Sequence, residues 1–220
     1  MIVHDIEQRT PEWFALRAGK ITGTSFQTMA NGTKAGIESL CQRVAIELIE
    51  GPEPEEGYKS AAMENGIAME GEARRAYELE TWNEVREVGF VEVGPLIGFS
   101  PDGLIGDDGG VEIKNPLRKT HEYYCRVGKY DTKYDWQMQG SMWASGKNWW
   151  DFVSYCEAFT TQPLLIIPIK PDPEAYKKLA AGHERCKARV LEILGYWAKR
   201  DNVKPQRRDE IREIMERVNG

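Results

Sequence analysis

"SPDGLIGDDGGVEIKNP", residues 100–116, holds an aspartate after a proline, a glutamate beyond a glycine-rich turn, and a lysine two residues further on. Side chains alternate along a strand, so Glu112 and Lys114 of "VEIK" share one face while Val111 and Ile113 take the other. "GLIG" and "VEIK" flank "DDGG", which is a hairpin signal. Asp102 therefore lies just before the partner strand, and the register decides which face its carboxylate joins. A connection of odd length sets Asp102 opposite Lys114 and diagonal to Glu112; an even one turns it away. We take the odd register, or a bulge that restores it.

Two carboxylates on one face suit a hard divalent cation. Mg²⁺ takes oxygen ligands octahedrally, keeps several waters, and needs only one or two protein carboxylates beside a phosphate. A lysine alongside can hold or activate a water and offset developing charge. Such a set fits phosphodiester hydrolysis. "PDG" is also a common turn, however, and an E-x-K strand is commonly a solvated face, so the rest of the chain has to decide.

The 220 residues, 41% of them hydrophobic, suffice for one well-filled core, and the reading is one domain over 1–220, with the charged segment 200–220 marked as a candidate flexible tail. A formal charge of −6 argues against coating nucleic acid by bulk charge and requires any such contact to be focused. Cys41, Cys125, Cys156 and Cys186 have neither CxxC nor zinc-finger spacing, which points to reduced thiols. "MIVHDIEQRT" lacks an apolar signal core and no long apolar run follows, so the expected location is cytoplasmic, with no membrane partner.

"TPEWFALRAG" reads as a short helix with Thr10 as N-cap, Pro11 at its first position and Gly19 at its end. "ITGTSFQTMA" supplies a turn and a second helix start, helix follows to about Glu50, and "GPEPEEG" is a loop. From Ser60 to Thr81 a helical stripe carries Met63, Ile67, Ala73 and Tyr77, and Glu70 falls on it. "VREVGFVEV", "PLIGFS", "GLIG" and "VEIKN" read as strands, "YDWQMQGSMWASG" as a helix, and "WWDFVSYC" and "LLIIPIK" as strands, the last at an edge or a bulge because of Pro168. Residues 174–199 repeat Tyr176, Leu179, His183, Cys186, Val190, Ile193 and Trp197 at helical steps. Trp143, Trp149 and Trp150 are assigned to packing, and His4, His121 and His183 to structure.

The order of these segments resembles the phage lambda type exonucleases, the viral recombinase, YqaJ-like branch of the PD-(D/E)xK nuclease superfamily. "EWFALRAGKITGTSF" resembles the family's N-terminal W-x-x-x-R-x-G-x-I-T-x-S segment, and "GIAMEGEAR" its G-x-x-x-E helix. "SPDGL" and "VEIKNP" are similar to its metal-binding strands, and "QMQGSMWASGKNWWDF" to its Q-x-Q-x-x-M-W helix and next strand. The order of all these motifs is far more specific than any one of them.

The resemblance implies an α/β fold with a PD-(D/E)xK, restriction-endonuclease-like core, a central mixed sheet flanked by helices. It implies Asp102, Glu112 and the Ile113 carbonyl as metal ligands, Lys114 as the residue that positions the attacking water, and Glu70 as a further acid. Glu70 could alternatively pair with Arg74, one turn on. Gln137 matches the first glutamine of the Q-x-Q helix and is placed at the catalytic centre; Gln139 points elsewhere. Arg17, Thr22 and Thr24 look like the family's pocket for a 5'-phosphate, with Ser25 competing with Thr24. The implied activity is Mg²⁺-dependent 5' to 3' digestion of one strand of linear double-stranded DNA, with Mn²⁺ as a substitute metal. A homotrimeric ring on DNA ends and a single-strand annealing partner are implied as well. An endonuclease of the same superfamily and a non-catalytic DNA-binding scaffold remain the alternatives at this point.

Overall fold

The computed structural model describes residues 1–52 and 61–220, with the backbone alone given for 61–68. Most of the "GPEPEEG" loop lies outside the described residues, as do the side chains of Met63 and Ile67. In chain order the elements are β1 (Ile2–His4), α1 (Pro11–Arg17), a 3-10 turn (Gly23–Ser25), α2 (Phe26–Asn31), α3 (Lys34–Glu50), α4 (Ala61–Thr81), β2 (Val85–Arg86), β3 (Phe90–Glu92) and β4 (Gly98–Phe99). There follow β5 (Gly103–Ile105), β6 (Gly109–Lys114), α5 (Arg118–Val127), a second 3-10 turn (Thr132–Tyr134), α6 (Asp135–Ser145), β7 (Trp150–Tyr155), β8 (Leu164–Ile169), α7 (Pro173–Ala198) and α8 (Pro205–Asn219).

The central sheet runs β2-β5-β6-β7-β8. Among the described residues of this sheet only β6 and β7 pair in parallel, joined by the crossover through α5 and α6, so the sheet is mixed as expected. β8 is an edge strand, where the missing N–H of Pro168 costs no ladder bond. Alternation along the strands divides the core. Ala73, Tyr77, Val85, Ile105, Val111, Ile113 and Val153 pack beneath α4. Leu104, Trp150 and Phe152 join the larger cluster with α2, α3, α7 and α8 on the other face. Tyr77 and Ala73 thus lie on the apolar stripe read from α4.

Several boundaries differ from the sequence reading. "VREVGFVEV" is split between sheets, with β2 in the central one and β3 in a three-stranded sheet β1-β3-β4. The break falls at Gly89, where a side chain would run into the Ile6 carbonyl. Strand β1 and helix α5 were not anticipated. The helix expected to run to Glu50 is interrupted at Gly32; Thr33 then caps α3 by accepting the Gly36 N–H at 3.1 Å. The 200–220 segment is no loose tail: Ile211 and Val218 of α8 are buried in the larger cluster against α7. Ile214 and Met215 pack against the same cluster, so Ile211, Ile214, Met215 and Val218 give a largely charged helix one apolar face at three- and four-residue steps. The buried face of α7 is Ala175, Leu179, Gly182, Cys186, Val190, Leu194 and Ala198, rotated from the expected stripe, which leaves Trp197 at the surface. Among the described residues no helix is long and apolar enough to cross a membrane.

Candidate active site

The β5–β6 hairpin turns through Gly106–Asp108, with Gly106 at φ 51°. Gly109 and Gly110 belong to β6, not the turn; a side chain at either would run into the ring of Trp149 or Trp150. The connection is odd, and the register pairs Gly103 with Val111. One step outward, Asp102 stands at the level of Glu112, with Lys114 diagonal. The face is the expected one, but the two partners exchange places. Asp102 Oδ2 accepts the Ile113 N–H at 2.7 Å, which fixes the carboxylate to the strand that carries the other groups.

Three oxygens converge on one point. The Lys114 ammonium lies 2.6 Å from Glu112 Oε1, 3.0 Å from the Ile113 carbonyl oxygen and 3.5 Å from Asp102 Oδ2. It also lies 5.3 Å above the Tyr134 ring centroid. The donor set is therefore aimed at a cation, and the ammonium marks the point of aim. Among the described residues no three His, Cys, Asp or Glu side chains cluster as a metal site. Two carboxylates with one carbonyl suit a hard cation that keeps its waters, such as Mg²⁺ or Mn²⁺, and not Zn²⁺.

Burial pushes Glu112 up to about 7; Asp102 and Glu70 act in the same sense, and Lys114 opposes them. For Lys114 burial works against the charge, but Asp102 and Glu112 outweigh it and hold the ammonium above the ordinary lysine range. Burial, then the charge of Asp102, also raises Glu70, against Arg74, Arg9 and Lys114. Glu70 thus has neighbours on both sides. It pairs with Arg74 Nη2 at 3.3 Å, and it lines a cavity of about 630 Å³ together with Asp102, Arg9 and Arg74.

Gln137 sits on α6 against the first 3-10 turn: a side-chain carbon on Gly23 would lie 3.8 Å from its amide nitrogen. It makes no hydrogen bond to Asp102, Glu112 or Lys114 among the described residues, so its place is beside the groups, not within them. Gln139 points into the fold, donating to the Lys170 carbonyl at 2.8 Å and accepting the Asp172 N–H at 2.9 Å.

The Arg17 guanidinium covers the Trp13 ring at 4.0 Å and donates to Thr22 Oγ1 at 3.2 Å and Ser100 Oγ at 3.0 Å. Burial, then the nearby charge of Arg43, lowers its pKa to about 10, with Glu47 opposing. It remains a cation at neutral pH, in a setting that an anion would relieve. Thr22 is buried; Thr24 is exposed and Ser25 half-buried, and among the described residues no hydrogen bond joins either side chain to Arg17. Ser100 and Trp13 were not singled out as site residues. Trp13 donates its indole N–H to Ser100 Oγ at 3.0 Å, so it aligns the hydroxyl that meets Arg17. The available signal was that Ser100 lies two residues before Asp102. That spacing sets the contact between Arg17 and Ser100 two residues from Asp102.

A sequence comparison with curated proteins gave no match. The alkaline exonuclease LHK-Exo from Laribacter hongkongensis is 30% identical over 86% of this chain and 99% of its own, with a TM-score of 0.72. Its structure in complex with dAMP superposes with a TM-score of 0.73 at the same identity and coverage. A phage-related exonuclease from Haemophilus somnus 129PT, 16% identical, shares the fold with a TM-score of 0.59 over 82% of this chain and 97% of its own. The mixed sheet and its helices are consistent with the PD-(D/E)xK core. The YqaJ-like viral recombinase domain matches residues 12–148, from just before Trp13 through α6, and the chain belongs to that family.

Proposed function

We propose that the protein is a Mg²⁺-dependent exonuclease that digests one strand of linear double-stranded DNA in the 5' to 3' direction. The observation that carries this reading is the convergence of Asp102, Glu112 and the Ile113 carbonyl on the Lys114 ammonium. Asp102, Glu112 and the Ile113 carbonyl would hold Mg²⁺ or Mn²⁺, which supplies Lewis-acid polarisation of the scissile phosphate. Lys114 then turns from the metal ligands to hold the attacking water and offset charge on the phosphate. Glu70 adds a carboxylate at the wall of the cavity, and Gln137 positions substrate from the side of the 3-10 turn.

Arg17, with Thr22 and Ser100, forms an anion pocket next to the carboxylates, and Thr24 at the rim completes it. A 5'-phosphate held there would present the adjoining diester to Asp102 and Glu112, which gives end dependence and polarity. The product is a 3' single-stranded overhang for a single-strand annealing protein. A homotrimeric ring on the duplex end lets a chain of net negative charge stay on DNA by topology. The relatives named as exonucleases support the activity. The deciding experiment follows linear duplexes labelled at either end, beside a closed circular duplex, in Mg²⁺. Loss of the 5' label with the circle intact is expected; a cut circle would make the protein an endonuclease.

Arg17→Ala should erase the advantage of a 5'-phosphorylated end and leave 5'-hydroxyl ends little changed, because a phosphomonoester carries more charge than a diester and a forked guanidinium exploits it. Arg17→Lys should recover part of the effect. Digestion rates on matched ends test this, and equal slowing on both ends would remove the pocket from the mechanism.

Metal binding should depend on pH through Glu112. Its carboxyl is protonated in the folded metal-free chain up to about pH 7, against the ordinary 4.5, so the ion must displace a proton below that point. Apparent Mn²⁺ affinity should rise about tenfold per pH unit towards pH 7 and level off above it. The same group costs metal-free stability as pH rises from about 4.5 to about 7, since the folded chain holds a proton that the unfolded chain has lost. Calorimetric Mn²⁺ titration across that range checks the first effect. An affinity that stays flat from pH 5 to 8 would exclude Glu112 as a ligand.

A further inference from the structure

Trp82 is the most exposed large apolar side chain among the described residues, at 91%. Its backbone lies at φ 59°, in the left-handed region that a tryptophan enters only at a cost. It closes α4, its N–H bonded to the Glu78 carbonyl at 2.9 Å, in a place commonly taken by glycine or asparagine. Leu79, one turn back, is 77% exposed. Together they form an apolar knob, and Glu78, Glu80 and Glu84 are the charged residues within 78–84.

A matching hollow lies on the opposite side of the central sheet. A cavity of about 310 Å³ opens where α3, α7 and α8 meet, walled by Ile46, Ile49, Trp197, Val203 and Ile211, with Glu50 and Arg207, paired at 3.6 Å, also in its wall. The volume admits an indole ring. Arg207 stiffens one wall by bonding to the Ile49 carbonyl and to Glu210. Around the mouth, residues 196–208 hold five Lys or Arg against one Asp. Lys199, Arg200 and Lys204 are exposed there, and none of them forms an ion pair among the described residues. The tip of the knob carries Glu80 and Glu84 beside Glu78, and with Glu50 offset by Arg207 the rim of the hollow stays net basic, which selects a second copy of this chain over a nucleic acid, whose phosphates the acidic side would repel.

We propose that Trp82 of one copy seats in the α3–α7–α8 cavity of the next, with Glu78, Glu80 and Glu84 facing Lys199, Arg200 and Lys204. Knob and cavity lie on opposite faces of the sheet, since α4 covers the smaller core cluster while α7 and α8 cover the larger. Two-fold pairing would bring like faces together and leave both unfilled. A head-to-tail contact fills every site, and it closes into a ring or runs on as a filament. This inference deepens the ring reading above by naming its contact.

The test is sedimentation velocity over a concentration series, without DNA, on the wild type, Trp82→Ala, Ile46→Asp, and an equimolar mixture of the two variants. Circular dichroism shows first that each variant is folded; both positions are exposed enough to accept the change. The wild type should form a closed oligomer, and Trp82→Ala should weaken association at least about thirtyfold, as loss of a central aromatic anchor does. The mixture is the sharper arm. Trp82→Ala keeps only the hollow and Ile46→Asp only the knob, so they should form a one-to-one dimer that cannot extend. A mixture that stays monomeric, or a Trp82→Ala protein with the wild-type mass, overturns the contact and frees the cavity for another partner. A wild type that is monomeric throughout overturns the ring as well, whereas an oligomer indifferent to both variants overturns the contact alone.

Discussion

Asp102→Ala should abolish DNA hydrolysis and Mn²⁺ binding together. Its carboxylate is one of three converging oxygen donors, and its other task, accepting the Ile113 N–H at 2.7 Å, orients the carbonyl strand beside it. Loss of a direct ligand should cost more than the roughly 10- to 100-fold seen when an outer-shell partner of a metal is removed. Asp102→Asn separates the two tasks, since its amide oxygen still accepts the Ile113 N–H while the negative charge is gone. The expected result for Asn is a normal melting temperature with metal affinity and rate both lost. Mn²⁺ binding by Asp102→Ala at wild-type strength would move the metal centre elsewhere in the molecule.

Lys114→Met should give the opposite split: hydrolysis lost by at least about a hundredfold, metal affinity kept or raised. The ammonium competes for Glu112 Oε1 at 2.6 Å, so its removal leaves both carboxylates to the ion. Without metal the same change leaves Glu112 buried with no counter-charge, and its carboxyl should be protonated to still higher pH. Lys114→Arg should not restore activity, because a planar fork cannot reproduce a point charge amid three oxygens. Paired calorimetry and single-turnover digestion distinguish this from Asp102→Ala, and parallel loss of metal and activity in Lys114→Met would make the lysine structural.

What could be read from the sequence was what depends on short separations. The alternation of "VEIK", the presence of a hairpin before it, the capped helix at Thr10 and the stripe of α4 each follow from a few neighbouring residues. Asp102 was placed on the correct face only by choosing the odd register, and opposite the wrong residue, because a hairpin signal fixes neither parity nor register: "DDGG" suggested a turn that in fact ends before Gly109. The glycines serve instead as room for Trp149 and Trp150, a demand set by a strand distant in sequence. Ser100 escaped notice for a related reason. Its role comes from Arg17 and Trp13, 83 and 87 residues away, and nothing local to "SPDG" announces them. Strand β1 and helix α8 were hidden because their residues are mostly polar or few, and their order comes from docking onto β3 and α7. The exposed Trp197 shows the limit of helical stripes, since a long amphipathic helix offers two adjacent faces and tertiary packing chooses between them.

The β5–β6 hairpin also sets an order of assembly in time. Its two strands are joined by a three-residue turn, so the contact between Asp102 and the N–H of Ile113 closes a loop of 11 residues. The contact between Arg17 and Ser100 must close one of 83. Loop-closure entropy grows with separation, so contacts of the first kind form before those of the second once neighbouring strands support the hairpin. A nascent or refolding chain would therefore gather Asp102, Glu112 and the Ile113 carbonyl before Arg17 meets Ser100, and pulse-labelled hydrogen exchange should show the β6 amides protected ahead of those around Ser100.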